Sequence, residues 1–334
     1  MELTVPDRTV GALIGPENPL IVRRPLPGTP AFRSGIIEGD TIIKVDGETT
    51  TGITIDQAVE KIKGPRGTKV VLTIERMLGD ASDPKTFDVE LVREKIPLLS
   101  IAHTELTEDG IGYIRVTDFK EHTADELKEK ISGLQDKEMK ALVLDLRYNP
   151  GGLLKSAAEV ADLFLPKGDV IVSTKGRGPE DAMSFESEHD PILSKDDAPM
   201  AVLVNGYSAS ASEIVTGALQ ENARAIVVGS KTYGKGSVQT VIELQDESAL
   251  RLTTAYFYTP RGAKLSHNGI DPDIKISLSR EEDIKLRQQL PDDTKTREPD
   301  QEPEKKQEDV QLNEAITVLR GYVILAKQET ADSE

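Results

Sequence analysis

Short apolar runs that end in glycine, asparagine or proline recur along this chain, and between them apolar positions fall three and four residues apart. The runs predict strands and the wider spacing predicts helices. In the N-terminal third, residues 20–22, 41–45 and 69–74 have strand character, and residues 54–62 carry helical periodicity. Further on, the predicted strands 111–116, 141–146, 170–173, 200–204 and 225–228 alternate with helical stretches at 123–134, 155–164 and 213–221. Residues 237–244 and 251–258 add two more strands. This βα alternation argues for a sheet with helices packed on it. The predicted fold class is therefore α/β and β-rich.

The pattern changes near the end. From Glu281 the sequence turns polar, and residues 291–309 hold almost no apolar side chain, which predicts a disordered linker. Helical periodicity returns over 310–327, with Leu312, Ile316, Leu319, Val323 and Leu325 as apolar positions. Arg320 interrupts that stripe, so the segment is expected to dock on protein rather than enter a membrane. The expected organisation is a first domain over 5–94, a second over 95–280, a polar linker over 281–309 and a C-terminal helix over 310–328.

Composition narrows the function classes. The 334 residues accommodate two domains, each with a sizeable core. A formal net charge of −17 argues against nucleic acid or an anionic membrane as partner. With no cysteine, structural disulfides, thiol catalysis and cysteine zinc sites are excluded. No stretch is apolar enough to span a bilayer, and residues 1–25 lack a signal-peptide core.

The candidate chemistry lies in two segments. Ser210 sits in Gly206-Tyr207-Ser208-Ala209-Ser210-Ala211-Ser212-Glu213, between a predicted strand and a predicted helix. Such a turn lifts a side chain out of the sheet, and the Ala211 N–H at the helix start can stabilise an oxyanion. Lys235 sits in a glycine-flanked loop, Tyr233-Gly234-Lys235-Gly236-Ser237-Val238-Gln239, after another apolar run. A serine hydroxyl needs a base at neutral pH, and a lysine serves once burial disfavours its charged form. Each segment also has a plainer reading. Ser210-Ala211-Ser212-Glu213 fits a capping box, Lys235 could be a solvated loop lysine, Gly151-Gly152 a tight turn, and Gln239 a strand residue facing water.

Residues 229–235 also nearly spell a phosphate-binding loop. That motif needs Ser or Thr after the lysine and a helix behind it. Gly236 and a predicted strand stand there instead. None of the four histidines, His103, His122, His189 and His267, lies in a motif linking it to Ser210.

Taken together, the Ser-Ala-Ser-Ala-Ser-Glu run (residues 208–213), Gly234-Lys235-Gly236 with Gln239, and Asp145-Leu146-Arg147-Tyr148-Asn149-Pro150-Gly151-Gly152 resemble the carboxyl-terminal processing proteases, serine proteases with a Ser/Lys centre. The resemblance runs from about Gly11 to Ile276, and Asn268-Gly269-Ile270-Asp271-Pro272-Asp273 is similar to the family's closing signature. It implies a PDZ domain followed by a ClpP/crotonase-like α/β protease domain with βα repeats. It also implies Ser210 as nucleophile, Lys235 as base, Gln239 beside the lysine amine, and an oxyanion hole from the Gly151-Gly152 pair, chiefly Gly152, with Ala211. The PDZ domain would hold a substrate's terminal carboxylate in the loop Thr9-Val10-Gly11-Ala12, where Thr9 stands in place of the family's first glycine. Lys63 stands where family members often carry arginine.

On this reading the chain is a serine endopeptidase that recognises the C-terminal region of polypeptides and works without metal or cofactor. The implied location is extracytoplasmic, with a targeting segment upstream of this sequence, and a homo-oligomer is left open. The rival reading is a catalytically silent PDZ scaffold that binds protein C-termini.

Overall fold

The computed structural model describes residues 12–14, 20–26, 29–77, 84–94, 96, 99–178, 182–195, 198–243, 248–291 and 307–331. The chain divides into two compact units between Leu98 and Leu99. The first is an antiparallel sheet with two helices. Its elements are β1 (Ala12–Ile14), β2 (Leu20–Pro25), α1 (Pro30–Arg33), β3 (Thr41–Val45), β4 (Glu48–Thr49), α2 (Ile55–Ile62), β5 (Lys69–Arg76) and β6 (Lys85–Val92). The strand order is β1-β2-β3-β5-β6, with β4 on β3.

Alternation explains this sheet. Along β5, Val70, Leu72 and Ile74 are buried, and they pack with Val22, Ile42 and Leu91 into one core. Thr54 starts α2 with a capping box: its Oγ1 accepts from the Gln57 N–H, and Gln57 Oε1 accepts from the Thr54 N–H. Of the expected carboxylate loop, Thr9, Val10 and Gly11 lie outside the described residues, and Ala12 opens β1 opposite Pro25.

The second unit contains β7 (Ile101–Leu106), β8 (Ile111–Val116), α3 (Thr123–Gln135), β9 (Ala141–Asp145), α4 (Leu154–Asp162), β10 (Val170–Gly176), β11 (Met183–Glu186), β12 (Met200–Val204), α5 (Ala211–Glu221) and β13 (Ile226–Gly229). There follow β14 (Ser237–Glu243), β15 (Ala249–Tyr258), β16 (Ile274–Lys275), α6 (Arg280–Gln289) and α7 (Val310–Ala331). Six strands form one sheet in the order β16-β13-β12-β9-β8-β7, parallel except for the β7-β8 pair. A second sheet has the order β11-β10-β15-β14.

Every residue of β8, β9 and β12 is buried, because both faces of the main sheet are covered. Leu142, Leu144, Val202 and Val204 pack with Leu127, Val160 and Val215 of α3, α4 and α5. Their alternates Val143, Ala201 and Leu203 pack with Ala315 and Leu319 of α7. The C-terminal stripe is therefore a docking face, as its pattern predicts.

One expectation is corrected. The polar stretch from Glu281 does not begin as a linker, because Arg280–Gln289 is helix α6. Ser279 and Glu282 form a capping box at its start, while only Leu286 within it is buried, so apolar periodicity is nearly absent. The structure describes nothing of residues 292–306.

Candidate active site

The parallel strands β9, β12 and β13 all end at the same edge of the sheet, where ligand sites of α/β folds gather. Three loops leave that edge: 146–153 after β9, 205–210 after β12 and 230–236 after β13. They carry the expected glycine pair, serine and lysine respectively.

Ser210 is the residue before α5 and has φ +56°, ψ −114°, a left-handed φ that a side chain adopts only when its surroundings enforce it. Glu213, completely buried, supplies that enforcement. Its Oε2 accepts from the Ser210 N–H (2.8 Å) and from the Lys235 N–H (2.9 Å). Its Oε1 accepts from the Thr232 hydroxyl and the Gly234 N–H, both at 2.6 Å. One carboxylate thus closes half of a capping box on the Ser210 turn and also binds the lysine loop. Sequence reading found only the first of these roles, since Glu213 lies three residues after Ser210 but about twenty before its other donors.

The oxyanion candidates meet the serine closely. A Cβ on Gly151, whose φ is +105°, would come within 2.7 Å of the Ala209 carbonyl oxygen and 2.9 Å of both Ala211 N and Ser210 Cβ. Only glycine allows this approach. The buried Asn149 fixes the loop: its Oδ1 accepts from the Gly151 N–H (2.9 Å), its Nδ2 donates to the Val116 carbonyl (3.0 Å), and its own carbonyl accepts from the Ala209 N–H (3.1 Å) and the Ser212 hydroxyl (2.9 Å). The Gly151 N–H is committed, whereas the N–H groups of Gly152 and Ala211 have no acceptor among the described residues. The two glycines therefore differ in which N–H group is still open to a ligand.

Asn205 joins the same loops a step lower, its Oδ1 accepting from the Tyr148 N–H (3.0 Å) and the Tyr207 N–H (3.1 Å). The lysine loop is seated on the segment of residues 266–270. Thr232 and Ile270 exchange two hydrogen bonds, and a Cβ on Gly236 would fall 2.2 Å from Ser266 N.

Lys235 is exposed, which corrects the expectation that the fold buries its side chain. Its loop is tied down through backbone N–H groups, which leaves the side chain at the surface. Gln239 is also exposed, on β14, next to a β-bulge at Val238/Gln239. Among the described residues no group of His, Asp or Glu side chains could hold a metal ion.

Behind the site lies a buried ion pair that sequence reading missed, although Asp145 and Arg147 stand two apart, on one face of the chain. Asp145 and Arg147 are fully buried and 2.6 Å apart. Burial pushes the Asp145 carboxyl up, but the charge and donors of Arg147 outweigh it and hold the group below its ordinary value. Burial likewise opposes the charge on Arg147, and Asp145 and Asp309 overcome it and keep it a cation.

The chain is similar to known proteins along most of its length. Residues 110–276 match Peptidase family S41, and residues 21–76 match a PDZ domain. A carboxy-terminal-processing protease of Bartonella bacilliformis is 41% identical over 333 residues, spanning 94% of this chain and 75% of the relative. A probable CtpA-like serine protease of Staphylococcus aureus is 37% identical over 268 residues, spanning 80% of this chain and 52% of the relative. The chain therefore covers about half the length of that second relative. In fold, a putative S41 protease of Bacteroides fragilis superposes with a TM-score of 0.52 at 18% identity, over 96% of this chain and 85% of that one. Fold and family together define a serine peptidase with an N-terminal PDZ domain. The chain belongs to peptidase family S41, among the carboxy-terminal-processing proteases.

Proposed function

We propose that the chain is an endopeptidase in which Ser210 and Lys235 form the catalytic dyad. The observation that carries this reading is the shared Glu213 oxygen, which keeps the nucleophile turn and the lysine loop side by side. Neutral Lys235 takes the proton of the Ser210 hydroxyl as Oγ bonds to the scissile carbonyl carbon. The carbonyl oxygen becomes an oxyanion held by the Gly152 and Ala211 N–H groups. Collapse breaks the C–N bond, and the lysine ammonium returns its proton to the leaving amine. Water then attacks the acyl-enzyme, giving its proton to Lys235, which passes it to the Ser210 Oγ as the C–O bond breaks and the acid leaves. Gln239 holds the lysine amine in line. Because Lys235 is exposed in the free protein, a bound peptide covering it supplies the desolvation that favours the neutral amine.

The first unit supplies selection. A substrate's C-terminus adds as a strand to its sheet edge, with the terminal carboxylate held by the loop Thr9-Val10-Gly11-Ala12. An extracytoplasmic location and an open question of self-association accompany this reading through the family resemblance. The exposure of Lys235 is the one observation that favours the rival reading, a silent PDZ scaffold. The experiment that separates them is cleavage of a fluorogenic peptide with a free valine C-terminus by wild type and by Ser210→Ala. Hydrolysis lost in the variant supports the protease; none in either supports the scaffold.

A further inference from the structure

The oxyanion loop is gripped at two consecutive residues by the chain that follows the last strand. Arg147 is fully buried, and its guanidinium donors are divided between two carboxylates and one amide. Nε bonds Asp145 Oδ1 (3.0 Å), and Nη2 bonds Asp145 Oδ2 (2.6 Å). Nη1 and Nη2 reach Asp309 Oδ1 and Oδ2, both at 2.8 Å, and Nη1 also reaches Gln311 Oε1 at 3.1 Å. The contact with Asp309 is a bidentate fork, the strongest and most directional form of this pair. Asp309 is also the residue before α7, and its Oδ1 accepts from the Leu312 N–H (3.0 Å).

Tyr148, the next residue, has φ +60°, uncommon for a bulky side chain. Its hydroxyl donates to Asp283 Oδ1 at 2.6 Å, and its ring stacks on Tyr207 at 5.6 Å between centroids. Arg287 lies over both rings, 5.6 and 5.8 Å from their centroids. Asp283 and Arg287 belong to α6, and Tyr207 belongs to the nucleophile turn. Apolar packing does little here, because Leu286 is the one buried residue within α6. A cleft of about 410 Å³, lined by Asn205, Tyr207, Arg280, Asp283 and Gln311 among others, opens beside these contacts. The loop's position therefore rests on directed polar bonds.

We propose that Asp283 and Asp309 are positioning residues for catalysis: by holding Tyr148 and Arg147 they set where the oxyanion loop, three to five residues on, presents the Gly152 N–H to Ser210. The inference rests on the Ser210 and Gly152 roles proposed above. Neither aspartate touches substrate, and neither falls in the motifs that identify the family here. Both come from the segment that sequence pattern alone assigns to a linker.

The test uses the full chain and a fluorophosphonate, which bonds to the serine oxygen and needs the same oxyanion donors as substrate. Asp283→Ala, Asp309→Asn and Tyr148→Phe are compared with wild type for the rate of Ser210 labelling and for kcat and KM on the valine-ended peptide. Asp309→Asn keeps an acceptor for the helix cap, and Tyr148→Phe removes only a hydroxyl, so both preserve a folded protein for measurement. The expected result is a fall of about ten-fold in labelling rate and in kcat, with KM within about two-fold, as for a slightly misplaced catalytic group. Asp283→Asn, which still offers an oxygen to Tyr148, should recover most of the loss. Labelling and kcat equal to wild type in the folded variants, with only the melting temperature lowered, would overturn the proposal and leave the aspartates structural. If wild type itself labels elsewhere than Ser210, the dyad reading fails instead.

Discussion

Ser210 and Lys235 donate their backbone N–H groups to the same atom, Oε2 of Glu213, at 2.8 and 2.9 Å. Glu213→Gln keeps the shape but replaces one acceptor oxygen with an amide N–H₂ facing two donors. Each buried donor left unsatisfied costs about 1–3 kcal/mol. Glu213→Gln should therefore lower the melting temperature and reduce kcat more than it raises KM, in thermal denaturation and steady-state kinetics respectively. A variant with wild-type kcat would show that the shared oxygen does not register the two loops for catalysis.

Gly152→Ala tests the close approach on the other side of the site. A Cβ there would meet the Phe119 carbonyl oxygen at 2.1 Å, so the backbone must move and take its free N–H with it. Loss of one oxyanion donor costs about 10²–10³ in kcat, and steady-state kinetics of Gly152→Ala should show a drop of that order. Gly133, exposed on α3 with nothing near its Cβ position, is the control. Gly133→Ala should leave kcat unchanged and raise stability by about 0.8–1 kcal/mol.

Asp145 is expected to contribute to the response to acid. Its folded pKa is held below the ordinary value of 3.8, where burial alone would raise it, because Arg147 outweighs burial. The stability it contributes is complete above that ordinary value and is lost as pH falls through the lower folded value. Asp145→Asn should flatten the acid limb of a stability-versus-pH curve measured by urea unfolding. At neutral pH it should also cost about 3–5 kcal/mol, because a buried cation loses a partner. An acid limb identical to wild type would remove Asp145 from the account.

The first unit makes a separate prediction. Amidating the C-terminus of the valine-ended peptide removes the charge that the loop around Gly11 is proposed to hold. Affinity and cleavage rate should both fall relative to the free acid. Equal values for the two peptides, by titration calorimetry and by cleavage, would show that this domain does not read C-termini.

Strands β3, β8 and β12 were legible because each buries a continuous or alternating apolar run between turn residues, and that signal is local. The motif at residues 208–213 was legible for the same reason, as it holds the turn, the serine and the helix start within six residues. Glu213 as anchor of the lysine loop was not, since its donors come from a separate part of the chain that only the sheet brings near. Helix α6 escaped because it is held by a capping box and polar contacts, leaving an apolar pattern too sparse to recognise. Chemical need alone points to a buried Lys235, whereas the fold places that side chain at the surface.

If Ser210 and Lys235 act as one catalytic unit, as proposed, removing either should cost nearly as much as removing both. The most direct measurement is hydrolysis of the valine-ended peptide by Lys235→Ala, with circular dichroism showing that the variant is folded. Hydrolysis should be as low as that of Ser210→Ala and of the double variant. Near-normal turnover by folded Lys235→Ala would contradict the dyad.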